Sequence, residues 1–215
     1  MVDNVLDYSL INKGDVQNKA FIMIHGWQGN KHSFKSIPNL LDIDSCAWYF
    51  PEAPYMFEGK PDKKTWAYEK SPGVWEVEET KRLLRSFIHD KVLTCFDSKD
   101  VFVMGFSQGA AVCYELIQNF EVPLGGIFPI AGFIREFPGD KDKITLNACP
   151  KQYKTPILIG HGKDDDVVTS DASKIAYNAL KKDCTDIDLY IYNGRHKIGI
   201  EYLKRVRALI KKKYQ

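Results

Sequence analysis

The sequence is short of nearly everything that marks a special class of protein. It has only five cysteines in 215 residues, Cys46, Cys95, Cys113, Cys149 and Cys184. The number is odd, the spacing irregular and no C-x-x-C occurs, which argues against a disulfide framework or zinc site and for a reducing compartment. No apolar run approaches the roughly 18–20 residues of a membrane span, so no integral-membrane segment is expected. Met1–Asp7 carries acids and no apolar stretch of signal-peptide length, so the expected setting is cytoplasmic and water-soluble. Charge of one sign is missing too: 30 Lys and Arg stand against 28 Asp and Glu, a net charge of +2, and nothing implies a nucleic-acid partner. The one dense run, Lys211–Lys213, ends the last predicted helix, where cations complement the helix dipole. No His, Cys, Asp and Glu cluster has ligand-like spacing, so no metal is expected. The glycines of 105–109 lack the Gly-Lys-Ser/Thr of a phosphate loop. Repeats and low-complexity tracts are absent.

What is present is an ordinary globular composition, 44% hydrophobic and 27% charged, long enough for a full core in one domain, residues 1–215. Buried-strand runs occur at 20–24, 47–50, 101–104, 126–132 and 156–160, with a strand of alternating polarity at 187–192 and a weak edge strand at 8–11. Helical spacing predicts helices over 33–41, 74–93, from 110 to near 120, 172–180 and 198–212. Residues 55–73 read as a long irregular loop, of the kind that is usually functional in a compact domain. Residues 133–154 read as polar and irregular. Strands alternating with helices, most strands continuously apolar, predict an α/β fold with a mainly parallel sheet covered on both faces.

The chemistry centres on Gly105-Phe106-Ser107-Gln108-Gly109. A strand before it and a helix after it are the context in which G-x-S-x-G forms a nucleophile elbow. Such a turn is so sharp that Cβ atoms at its flanks collide with neighbouring backbone, and the serine is pushed out at the amino end of a helix. A serine hydroxyl needs a base to take its proton, and the base needs a partner that fixes its tautomer. In this architecture the chain order is serine, acid, histidine. His25, His32, His89 and His161 precede the acid-rich turn Asp164-Asp165-Asp166; only His196, in the loop after the last strand, follows it. His161 is its main rival, better explained by packing beside Gly162. Spacing does not choose among the three aspartates. An oxyanion would need preformed donors, one from the backbone N–H of Gln108 and another from the loop His25-Gly26-Trp27.

These residues resemble the phospholipase/carboxylesterase family of α/β-hydrolases, which includes the acyl-protein thioesterases. Ile24-His25-Gly26 resembles its oxyanion strand and loop, and Phe50-Pro51-Glu52-Ala53-Pro54 its Pro-x-Ala-Pro segment. Trp66 stands where the family often has tryptophan before the long helix. Gly105–Gly109 is similar to its elbow, His161-Gly162-x-x-Asp165-x-Val167-Val168 to its acid motif and Gly194-x-His196 to its histidine loop. The resemblance implies an α/β-hydrolase fold without a large cap domain, Asp165 as the acid, and backbone donors on Trp27 and Gln108. It implies a cofactor-free serine hydrolase that cleaves a small-molecule ester, with thioester or lysophospholipid as the alternative. A binding module with lost chemistry fits less well, since all three triad positions are filled. Trp27, Trp66, Tyr55 and Phe57 are the expected acyl-side residues. Trp27 replaces a smaller family residue, and its bulk predicts short- to medium-chain acyl groups. Monomer and homodimer remain equally open.

Overall fold

The β-branched and aromatic runs form a seven-stranded sheet in the computed structural model, which describes residues 5–72, 74–134 and 146–215. The strands are β1 (Tyr8–Lys13), β2 (Lys19–Ile24), β3 (Cys46–Pro51), β8 (Val101–Phe106), β9 (Gly126–Ile130), β10 (Ile157–Gly162) and β11 (Ile187–Tyr192). Their spatial order is β1-β3-β2-β8-β9-β10-β11, with β1 antiparallel to β3 and every other pair parallel. Central β3, β9 and β10 are buried at every position, whereas edge strands β1 and β11 are largely half-exposed. That is the burial a sheet sandwiched between helices requires.

The period of two divides the sheet into two cores. Ala20, Ile22 and Ile24 face α2 (Glu78–Phe87), α3 (Gln108–Asn119) and α4 (Ser170–Leu180), through side chains such as Leu84, Ile117 and Leu180. Phe21 and Met23 face α1 (Ile37–Leu41) and α5 (Ile200–Lys213), through Leu41, Tyr202 and Val206. On the second face Phe21 stacks on Trp48 at 4.6 Å, and on Phe102 and Phe128 near 6 Å. Each buried ring of this kind stabilises the fold by about 1.5–3 kcal/mol. No helix among the described residues is long and apolar enough to cross a membrane.

Three expectations are corrected. Residues 55–72 are not an irregular loop. They belong to two hairpins, β4 (Tyr55–Phe57) with β5 (Lys60–Thr65), and β6 (Tyr68–Ser71) with β7 (Val74–Glu76). The long helix therefore begins at Glu78 rather than Val74, because Val74 and Trp75 pair with β6. It ends at Phe87 and continues as a π-turn over Ile88–Val92. The first helix spans only Ile37–Leu41, because Pro38 has no N–H to give and sits in the first turn. Residues 1–4, Gly73 and 135–145, which carry part of the N-terminal reading, the long loop and the polar 133–154 stretch, lie outside the described residues.

From β2 the chain runs to β3 on one side, and β8 later enters on the other. The carboxyl ends of β2 and β8 thus flank a topological switch point, where open α/β sheets bind ligands. His25 follows β2 there, and Ser107 follows β8.

Candidate active site

Ser107 sits between β8 and α3 with φ 55° and ψ −115°. A non-glycine residue held there stores roughly 1–3 kcal/mol of strain. The turn closes because its flanks are glycines. A Cβ on Gly105 would lie 2.1 Å from the Gly109 carbonyl oxygen, and one on Gly109 would lie 2.3 Å from that of Ile24. The Ser107 amide donates to Ile130 at 2.8 Å, pinning the elbow to β9.

Ser107 Oγ lies 3.1 Å from His196 Nε2, and His196 Nδ1 lies 2.7 Å from Asp165 Oδ2. His196 also packs on Phe106, ring centroids 4.8 Å apart. Asp165 Oδ1 accepts from the Val167 and Val168 amides, both at 2.9 Å. Burial pushes the Asp165 carboxyl up, but the bond from His196 and the two amides outweigh it, leaving the group below the ordinary carboxylate range. Asp165 is buried, whereas Asp164 and Asp166 are exposed and Asp166 pairs with Arg195. Of the three adjacent acids, one therefore reaches His196. The geometry suits a proton relay from a hydroxyl to an imidazole backed by a carboxylate.

The loop after β2 is braced from three sides. The Ala53 amide donates to His25 Nε2 at 3.1 Å, so Nδ1 carries the hydrogen and donates to the Gly26 carbonyl at 2.8 Å. Burial drives His25 down to about 4, which keeps the ring neutral near pH 7. The Lys64 amide donates to Gly29, joining β5 to the loop, and Trp66 Nε1 donates to the His25 carbonyl at 2.8 Å. Gln108 opens α3, where the first N–H groups of a helix have no partner within it.

Gln108 contributes more than its backbone N–H to the elbow. Its side-chain Oε1 accepts from the Trp66 amide at 3.0 Å, and Nε2 donates to Thr65 Oγ1 at 2.9 Å. Those contacts tie the β5–β6 segment to the elbow. No sequence signal joins two positions 43 residues apart.

Two cavities adjoin at Gln108. The open one, about 460 Å³, contains Ser107 and is walled by Trp27, Met56, Phe57, Trp75 and Val167. Trp27 is 59% exposed and meets Phe57 edge-on at 4.9 Å. The other, about 160 Å³, lies between α2 and α3 behind Trp66 and does not include Ser107. Of the four residues expected on the acyl side, Trp27 and Phe57 line the open cleft; Trp66 and Tyr55 do not. Trp66 is buried because its indole is used to hold the loop after β2. Tyr55 packs edge-on against Tyr68 at 4.7 Å, and burial pushes its phenol up to about 12.

Comparison with known proteins agrees with this architecture. Residues 7–214 match the family described as Phospholipase/Carboxylesterase. Acyl-protein thioesterase 1 of Kluyveromyces lactis is 28% identical over 141 residues, a stretch covering 63% of this chain and 60% of that protein. Carboxylesterase SOBER1 of Arabidopsis thaliana is 24% identical over 185 residues, covering 80% and 79% of the two chains. The crystal structure of esterase PE8 superposes with a TM-score of 0.78 at 21% identity, covering 97% of this chain and 99% of that one. The Bacillus cereus carboxylesterase gives 0.76 at 15% identity, with 98% and 95% covered. The fold is that of the α/β-hydrolases.

Proposed function

We propose that this chain, which belongs to the phospholipase/carboxylesterase family of hydrolases, cleaves carboxylic esters through an acyl-enzyme formed on Ser107. The observation that carries the proposal is the unbroken contact path from Ser107 Oγ through His196 to Asp165. Ser107 attacks the ester carbonyl as His196 Nε2 takes its proton. The tetrahedral oxyanion is held by the amides of Gln108 and Trp27. His196 then gives the proton to the leaving alcohol and next draws one from the water that releases the acid. Asp165 keeps the His196 proton on Nδ1 and stabilises the cationic ring. No step calls for a cofactor.

The walls of the open cleft set the substrate. The cleft that holds Ser107 is walled mainly by aromatic and aliphatic side chains, with Glu58 and Glu69 as the acids of its lining, which favours an apolar acyl group over an anionic one. Trp27 stands beside the oxyanion loop and, with Phe57, limits the length of chain that fits. Hydrolysis of p-nitrophenyl esters from acetate to palmitate is expected to peak among the short and medium chains. Trp27→Ala is expected to move the peak to longer chains. A palmitate optimum in both proteins would overturn this account of the acyl side.

Thioester cleavage is a second reading, supported by the similarity to the Kluyveromyces lactis thioesterase. Matched acyl thioesters and oxygen esters, compared by kcat/KM, separate the two. Five free cysteines support a cytoplasmic setting.

A further inference from the structure

Asp165 has a second histidine neighbour. His161 is the penultimate residue of β10 and is fully buried, and its Nε2 lies 2.8 Å from the Val168 carbonyl oxygen. The same nitrogen lies 3.2 Å from Asp165 Oδ2, the oxygen that also meets His196. On the far side of the ring, Nδ1 lies 2.7 Å from Ser173 Oγ on α4. A carbonyl and an ionised carboxylate have no proton to give, so Nε2 carries the hydrogen and donates to Val168. Nδ1 is then the acceptor, and the Ser173 hydroxyl donates to it. The Val168 carbonyl and the Asp165 carboxylate therefore set the tautomer of His161, and Ser173, itself fully buried, supplies the donor that Nδ1 then needs and fixes the ring's orientation.

The contacts converge on one carboxylate. Val168 takes the His161 bond on its carbonyl while its own amide holds Asp165 Oδ1. The N–H edge of the ring also puts partial positive charge beside Oδ2. We propose that His161, oriented by Ser173, is a positioning residue for Asp165: it fixes the Val167–Val168 turn and so the angle at which the carboxylate meets His196. The proposal rests on the ester-hydrolase reading of Ser107, His196 and Asp165. Packing alone does not account for it, since an apolar side chain fills such a space without needing a hydroxyl, a carbonyl and a carboxylate around it.

Two substitutions divide the ring's functions. In His161→Asn the amide stands near the Nδ1 position, which retains the Ser173 contact and loses the donor to Val168. In His161→Gln the amide nitrogen reaches the Nε2 position and retains that donor. Turnover of a p-nitrophenyl ester, counted per active site by titration, is expected to fall about 10–100-fold in kcat for His161→Asn with KM little changed, as when orienting groups are removed elsewhere. His161→Gln is expected to recover most of the loss. Ser173→Ala keeps the Nε2 contacts but removes the hydrogen bond that orients the ring at Nδ1, and is expected to lower kcat in the same direction by a smaller factor. It serves if the His161 variants do not fold. Equal kcat in wild type and His161→Asn, or no rescue by Gln when both variants fold, or an unaffected Ser173→Ala would overturn the proposal. Ser107→Ala is run beside them. If it retains activity, the ester-hydrolase reading falls and this inference with it. If it is inactive while His161→Asn matches wild type, only the inference falls.

Discussion

Replacing Ser107 with alanine is expected to lower kcat on a p-nitrophenyl ester by about 10⁶-fold, the order of loss when a serine nucleophile is removed from its triad. The reason is chemical rather than structural. Alanine keeps the elbow but leaves His196 with no hydroxyl 3.1 Å away to deprotonate. A fluorophosphonate probe should label the wild-type serine and leave the variant unlabelled, as read by the mass of the peptide carrying residue 107. Ser107→Gly should be equally inactive yet melt about 2–4 °C above Ser107→Ala, because glycine tolerates φ 55° without the roughly 1 kcal/mol of strain that a Cβ brings there. Wild-type turnover in either variant would remove Ser107 from the reaction.

Asp165→Asn is expected to cut kcat by about 10⁴-fold, with kcat of Asp164→Asn and Asp166→Asn within about threefold of wild type. The hydrogen bonds of Asp165 set the size of the effect. The Val167 and Val168 amides demand an acceptor at Oδ1, so the asparagine oxygen takes that position and its NH₂ faces His196. That NH₂ turns the imidazole to the wrong tautomer and cannot compensate a positive ring. Asp164 is exposed, and Asp166 pairs with Arg195 at the surface, where solvent screens the interaction. A crippled Asp164→Asn beside an active Asp165→Asn would reassign the acid.

The two assays also separate changes in the loop after β2 from changes at Ser107, His196 and Asp165. His25, Trp66 and the Gln108 side chain shape the loop without reaching Ser107 chemistry directly, so changes there act on geometry. Loss of an oxyanion donor typically costs about 10²–10³ in turnover, well below the loss expected for Ser107.

Much of this was legible in the residues. Continuous apolar runs could belong only to central strands, and the edge strand Tyr8–Lys13 already showed weaker patterning. Gly105 and Gly109 announced a turn that only glycine permits, and the carbonyl contacts at both flanks supply the reason. His196 followed from chain order. The hairpins at 55–76 were not legible: β5 holds three lysines and Pro61 and is exposed over its first half, so no alternation marks it. What orders it is pairing with β4 and with Gly29 on the loop after β2, a partner 35 residues away in Lys64.

By itself, then, the sequence determined the α/β architecture, the strand–turn–helix elbow and the single histidine placed to follow the acid, because each depends on local periodicity, glycine stereochemistry or order along the chain. Resemblance of His161-Gly162-x-x-Asp165 to a family motif pointed to Asp165 where spacing did not, but only the tertiary structure shows why that aspartate turns inward, that Trp66 braces a loop instead of lining the cleft, and that His161 stands behind Asp165. Those outcomes depend on which carbonyls, amides and rings from distant strands arrive around a side chain, and three adjacent aspartates carry no trace of that in their order.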